Sequence, residues 1–113
     1  MAANPKDRQF RLSDFRFVTE LLAEAQTRED GARDRIAKKH GIQKSVITGR
    51  VGRIEKFLGT TLFSGPQRKS PTAAGRELAT RGPQFLRMVE DFVAMIGDVD
   101  ERERGEVRRL RHR

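Results

Sequence analysis

The amino-acid sequence predicts a mainly helical domain with one small β-hairpin and a long C-terminal helix. Three observations predict it. Apolar residues recur at helical spacing in successive stretches of the chain. Glycines and helix-capping residues punctuate those stretches at short intervals. One segment alone, Thr60 to Pro71, sets β-branched and aromatic residues around a turn cluster.

The first helix is expected to start at Ser13, which can cap it, with Asp14 in its first turn. Phe15, Val18, Leu22 and Ala25 form its apolar face, and it ends near Gln26. Thr27 to Gly31 is polar and reads as a loop. A second helix spans Ala32 to His40 with Ile36 and Ala37 facing inward. Gly41 closes it, because glycine reaches the left-handed conformation that ends a helix without steric cost. Ile42 follows as an apolar plug. A third helix starts near Lys44 and turns Ile47, Val51, Ile54 and Leu58 inward; Gly59 stops it. Two helices joined by a short glycine turn, the second of them basic, make a helix-turn-helix.

Leu62-Phe63, the turn Ser64-Gly65-Pro66-Gln67 and then Arg68-Lys69 read as a hairpin, or wing, with a basic edge. Thr72 caps the last helix. Its stripe is Leu78, Phe85, Val89, Phe92 and Ile96, widened by Leu86, Met88, Val93 and Met95. Gly82-Pro83 is expected to kink or break it. Beyond Gly97 the apolar content falls and the chain is expected to fray. The expected organisation is a flexible arm over 1–11, a winged helix-turn-helix domain over 12–71, a linker helix over 72–97, and a charged, flexible tail over 98–113.

Composition narrows the function. A chain of 113 residues favours one domain with one modest core. Its net charge of +8 points to a polyanionic partner, most often nucleic acid. The charge is local. Lys38, Lys39, Lys44, Arg50, Arg53 and Lys56 share their stretch with the single acid Glu55, whereas Glu90 to Glu106 carries seven acids and two arginines. There is no cysteine, and His40 and His112 have no ligand-spaced neighbours, so no metal site or cofactor is expected. No apolar run suggests a membrane span, and Met1 to Phe10 lacks the apolar stretch of a signal peptide. The expected location is the cytoplasm, in association with the nucleoid.

Ile36 to Gly75 resembles the DNA-binding domain of LysR-type transcriptional regulators. The stretch Arg53-Ile54-Glu55-Lys56-Phe57-Leu58-Gly59-Thr60-Thr61-Leu62-Phe63 is similar to that family's signature: a basic residue, Leu-Glu, Leu-Gly and Leu-Phe at this spacing. Thr72-Ala73-Ala74-Gly75 matches the threonine-x-x-glycine that opens its linker helix. Molybdate regulators of the ModE type share this winged module and resemble the chain as well. The resemblance implies a winged helix-turn-helix in which Gln43, Lys44, Ser45, Thr48 and Gly49 stand at the base-reading positions, and a linker helix that pairs antiparallel with its copy. Gly49 replaces the family's arginine, the loop before the second helix is longer than the family's, and the wing is shorter. A full-length regulator continues into an effector-sensing domain. The charged segment after Gly97 does not read as the start of one, which favours a short stand-alone protein over a piece of a full-length regulator; both readings stay open, and no small-molecule effector site is expected.

The residues give the same face directly. With Ile47, Val51 and Ile54 turned inward, Lys44, Ser45, Thr48 and Gly52 point outward. Lys44 can donate to a guanine edge, and Ser45 and Thr48 can bond to bases or phosphates. Gly49 and Gly52 each cost about 1 kcal/mol in a helix interior, against which a close backbone approach can be set. Arg50 and Arg53 are expected on phosphates, and Arg68 and Lys69 on the flanking groove. His40 is expected as a partly buried structural residue, and Glu55 as the partner of a nearby base. No residue pair is placed for catalysis. Phe85, Val89, Phe92 and Ile96 exceed what a small monomer covers and are expected to bury against a second copy.

The expected function is that of a homodimeric, sequence-specific regulator on double-stranded DNA, with no membrane partner. Two alternatives stand beside it. One is an interaction protein that heterodimerises with a full-length regulator and inhibits it. The other is an architectural DNA binder.

Overall fold

The computed structural model describes the backbone of residues 9–111 and the side chains of residues 9–105. It is mainly helical. Helices α1 (Leu12–Thr27), α2 (Ala32–His40), α3 (Lys44–Leu58) and α4 (Ala73–Arg111) are joined by one small antiparallel sheet, β1 (Phe63–Ser64) and β2 (Ser70–Pro71). Phe63 pairs with Pro71 and Ser64 with Ser70. A short 3-10 turn over Pro66–Arg68 connects the strands. The chain divides into two units, Met1–Pro83 and Gln84–Arg113.

The first unit holds the core. Phe15, Phe17, Val18, Leu21, Leu22 and Ala25 of α1 pack with Ile36 of α2, Ile47, Val51 and Ile54 of α3, and Leu62 and Phe63 of the hairpin. Each large apolar side chain removed from water here contributes about 1.5–3 kcal/mol. The α2–α3 turn is only Gly41, Ile42 and Gln43. Gly41 has φ 63°, as its place after α2 predicts, and Ile42 N donates to Ala37 O at 3.0 Å, which closes the helix. The same bond recurs after α3, from Thr60 N to Glu55 O at 3.2 Å.

Several expectations are corrected. Ser13 does not cap α1: the helix begins one residue earlier, with Arg11 at the cap and no side-chain cap bond. An apolar clamp sets the helix start instead. Phe10, just before the cap, lies 5.9 Å from Phe15, ring centre to ring centre, and 4.9 Å from Phe57. Leu58, expected inside, is exposed. Gly82-Pro83 does not end the last helix, and Pro83 lies within α4. Gly82 sits so close to α1 that a Cβ there would come within 2.7 Å of Thr19, so the glycine serves close packing rather than a break. Helix α4 also continues past Gly97 to Arg111, with Arg104 paired to Asp100 one turn away. The arm expected over 1–11 lies, up to residue 8, outside the described residues, as do the side chains of the basic end from Arg108 to Arg113.

Thr72 caps α4 as its position predicts: its Oγ1 accepts from Gly75 N at 3.1 Å. The turn of the hairpin is less regular than a two-strand reading suggests. Gln67 and Arg68 both have positive φ, 63° and 47°, an uncommon conformation for two adjacent non-glycine residues. Within the second unit, α4 exposes Met88, Phe92, Val93, Met95, Ile96 and Val99. Phe92 and Ile96 of the expected dimerisation stripe are 59% and 51% exposed. Phe85 is less open and Val89 is half-buried.

Candidate nucleic-acid interface

Helix α3 is two-sided. Ile47, Val51 and Ile54 are buried, whereas Lys44, Ser45, Thr48 and Lys56 are exposed and Gly49, Arg50, Gly52 and Arg53 lie between. Gln43 stands at the N-cap with extended backbone and its side chain exposed. A Cβ on Gly52 would meet nothing within 4 Å, so the helix backbone is open to solvent there. Six of the expected contacts, Gln43, Lys44, Ser45, Thr48, Gly49 and Gly52, therefore lie on or beside one accessible strip.

The cations divide into two groups. Arg53 was expected on phosphate, but its guanidinium faces α1: Nε donates to Asp14 Oδ2 at 2.8 Å and Nη2 to Oδ1 at 3.2 Å. The side chain of Asp14 is 4% exposed, so this carboxylate depends on Arg53 for its charge pairing. The hydrogen bond to Asp14 holds the Arg53 guanidinium above its ordinary pKa. Arg53 thus has a structural partner in Asp14, while its side chain stays 40% exposed. Arg68 is committed in the same way. It pairs with Glu55, whose side chain is 11% exposed, and donates to Phe63 O at 3.2 Å. Glu55 also accepts from Leu62 N at 2.7 Å, so the lone acid of the basic stretch fastens the hairpin to α3.

The second group is loosely held. Lys44 pairs with Asp34, whose side chain is 63% exposed. Lys69 reaches Asp30 at 2.7 Å, and that carboxylate is 86% exposed. Arg50 lies 4.8 Å over the ring of Phe17, which leaves its charge without an acid in that contact. Exposed pairs of this kind contribute little to stability and exchange easily. His40 is at the surface, its Nε2 3.0 Å from Glu20 and its ring edge-on to Phe17.

Arg33 is a candidate site residue that sequence reasoning missed. It stacks 4.9 Å over Phe63 and its Nη2 donates to Arg68 O at 2.9 Å, while its Nε is buried without a hydrogen-bond partner. Burial pushes its pKa below the ordinary value, and the charge of Arg68 adds to this while Glu55 opposes it. Two adjoining clefts meet at Arg33 and Gln67. One, of about 270 Å³, runs to Thr48, Val51 and Arg68. The other, of about 350 Å³, runs to Asp34, Lys44 and Lys69. Nothing in the spacing of Arg33 marks it, since its neighbours arrive from α3 and the hairpin.

Among the described residues no group of acids and histidines is placed to hold a metal ion, and no helix is long and apolar enough to cross a membrane. Comparison with family models, curated proteins and solved structures finds no match.

The Arg53 assignment has a measurable consequence. Arg53→Ala is expected to lower stability by about 2 kcal/mol, less than a fully buried pair would lose because the arginine is partly exposed. Denaturant unfolding checks this. An Arg53→Ala protein of unchanged stability would show that the buried Asp14 carboxylate does not depend on it.

Proposed function

We propose that this protein is a sequence-specific DNA-binding transcription regulator, built as a winged helix-turn-helix and acting as a homodimer. One observation carries the reading. The exposed strip of α3 presents Lys44, Ser45 and Thr48 beside two half-buried glycines, directly opposite the buried row Ile47, Val51 and Ile54. A helix so presented fits the major groove, where the hydroxyls of Ser45 and Thr48 meet base edges and Lys44 meets the neighbouring phosphate. Lys69 on the hairpin and Arg50 on α3 then lie where backbone phosphates pass. The likeness of Arg53 to Phe63 and of Thr72 to Gly75 to the LysR-type signature supports the same placement. The reading assigns no catalytic residue and no cofactor, and it places the protein in the cytoplasm on the nucleoid.

Selection of bound duplexes from a random pool tests this reading. Enrichment of a roughly palindromic motif is expected. Lys44, Arg50 and Lys69, doubled in a dimer, give six phosphate contacts, so log affinity should fall with log salt at a slope of about −5. A flat salt dependence, or a pool without an enriched motif, overturns the proposal. The open apolar row of α4 also favours a second reading, in which the chain pairs with a full-length regulator and inhibits it. Strong specific DNA binding by the protein alone counts against that.

A further inference from the structure

We propose that the clefts between α2, α3 and the hairpin form a seat for a DNA backbone phosphate, and that Asp30 and Asp34 occupy its lysines as internal counter-charges in the free protein. This rests on the DNA-binding reading above and adds to it a device that limits non-specific binding.

Arg33, Lys44 and Lys69 converge on one cleft from α2, α3 and the hairpin, and the acids Glu29 and Asp34 also line it. Thr48, Gln67 and Arg68 complete its neighbour. Arg33 brings a buried donor without a partner, a state that costs free energy unless an acceptor arrives. Arg68 is already neutralised by Glu55, so the charge available to an incoming anion is that of Arg33, Lys44 and Lys69. The two lysines hold the exposed carboxylates Asp34 and Asp30. The hydrogen bond from Lys69 holds the Asp30 carboxyl below its ordinary pKa, so it stays ionised and ready to compete.

A phosphate and a carboxylate present similar anionic oxygens to a lysine. A phosphate must therefore displace the carboxylate, and each displaced carboxylate is left beside the anionic DNA. The loss falls on every duplex equally, because phosphates carry no sequence information. On the selected site, base contacts by Ser45 and Thr48 offset it. The acids thus act on discrimination between sites, which depends on the ratio of specific to non-specific affinity.

The test uses the full chain and titrates it against an unrelated duplex at low salt. Asp30→Asn with Asp34→Asn is expected to bind roughly three- to tenfold tighter than the native protein, from two exposed pairs at ordinary strength. A second variant, Asp98→Asn with Glu101→Gln, makes the same charge change on α4 and is expected to gain clearly less. Both acids of each pair are exposed, so folding is retained. If the native protein binds the duplex and the Asp30/Asp34 variant binds no tighter, the counter-charge proposal fails and the DNA-binding reading stands. Equal gains in both variants also overturn it, since net charge alone would then account for the effect. If none of the three proteins binds DNA, the DNA-binding reading itself fails, and this proposal with it.

Discussion

Gly75→Ala is expected to destabilise the protein by about 3 kcal/mol, at the upper end of what overpacking usually costs. A Cβ at this position would lie 2.3 Å from the carbonyl oxygen of Leu62 and 2.9 Å from Leu22 Cδ2. Neither neighbour can move freely. The Leu62 oxygen accepts Thr72 N at 2.9 Å, and Leu22 is fully buried in the core. The amide of Gly75 is itself held by the Thr72 cap, so the backbone cannot retreat without losing that bond. For a domain of this size each 1 kcal/mol shifts the melting temperature by about 4–8 °C, so a loss well above 10 °C is expected in thermal unfolding followed by circular dichroism. Gly52→Ala is the matched control. Its Cβ meets open space, and relief of glycine's helix cost should raise stability by up to about 1 kcal/mol. A Gly75→Ala protein that melts with the native one would show that the α4 start and the hairpin are not packed as described.

Gly75 also shows what was legible in the sequence and what was not. The threonine and glycine at the start of the last helix stand out as a spaced pair. Their physical reason, a cap and a backbone contact across to Leu62, needs the fold. The helices were legible because burial repeats along each of them: Phe15, Val18, Leu22 and Ala25 on α1, and Ile47, Val51 and Ile54 on α3, are buried as their spacing requires. Gly41 was legible because a left-handed residue is needed in so short a turn.

What failed involved partners distant in sequence. Asp14 reads as a first-turn acid and is a buried carboxylate joined to a residue 39 positions away. Ser13 reads as a cap, but Phe10 and Phe57 decide where the helix begins. Gly82-Pro83 reads as a break, but Thr19 lies against the glycine. For the candidate site the residue types and their strip on α3 were legible. The division of its cations was not. A basic residue in the sequence carries a charge, and only the fold shows whether a buried acid such as Asp14 or Glu55 has already claimed it. That division leaves Lys44, Arg50 and Lys69 as the most readily released cations, whereas Arg53 and Arg68 are held by the acids Asp14 and Glu55.

Replacing Phe92 and Ile96 together with glutamate is expected to give monomers and to lower affinity for a two-half-site duplex by at least about a hundredfold, the scale on which linking two binding events acts. The two side chains stand one turn apart on α4, more than half exposed, beside the open residues Met88, Val93, Met95 and Val99. An apolar row of this size on a single helix has few solvent-stable fates, and burial against its own copy satisfies it with a two-fold axis. That axis would present two α3 helices to a palindromic site, whereas one copy alone offers few base contacts. Neither residue belongs to the core of the first unit, whose melting is therefore expected to stay unchanged, and affinity for a single half-site should fall little. Sedimentation of the native protein and the variant, with parallel titrations of one and two half-sites, separates the contributions. Native protein that sediments as a monomer at micromolar concentration while binding its selected site undiminished would remove the dimer from the proposal and leave α4 with another partner.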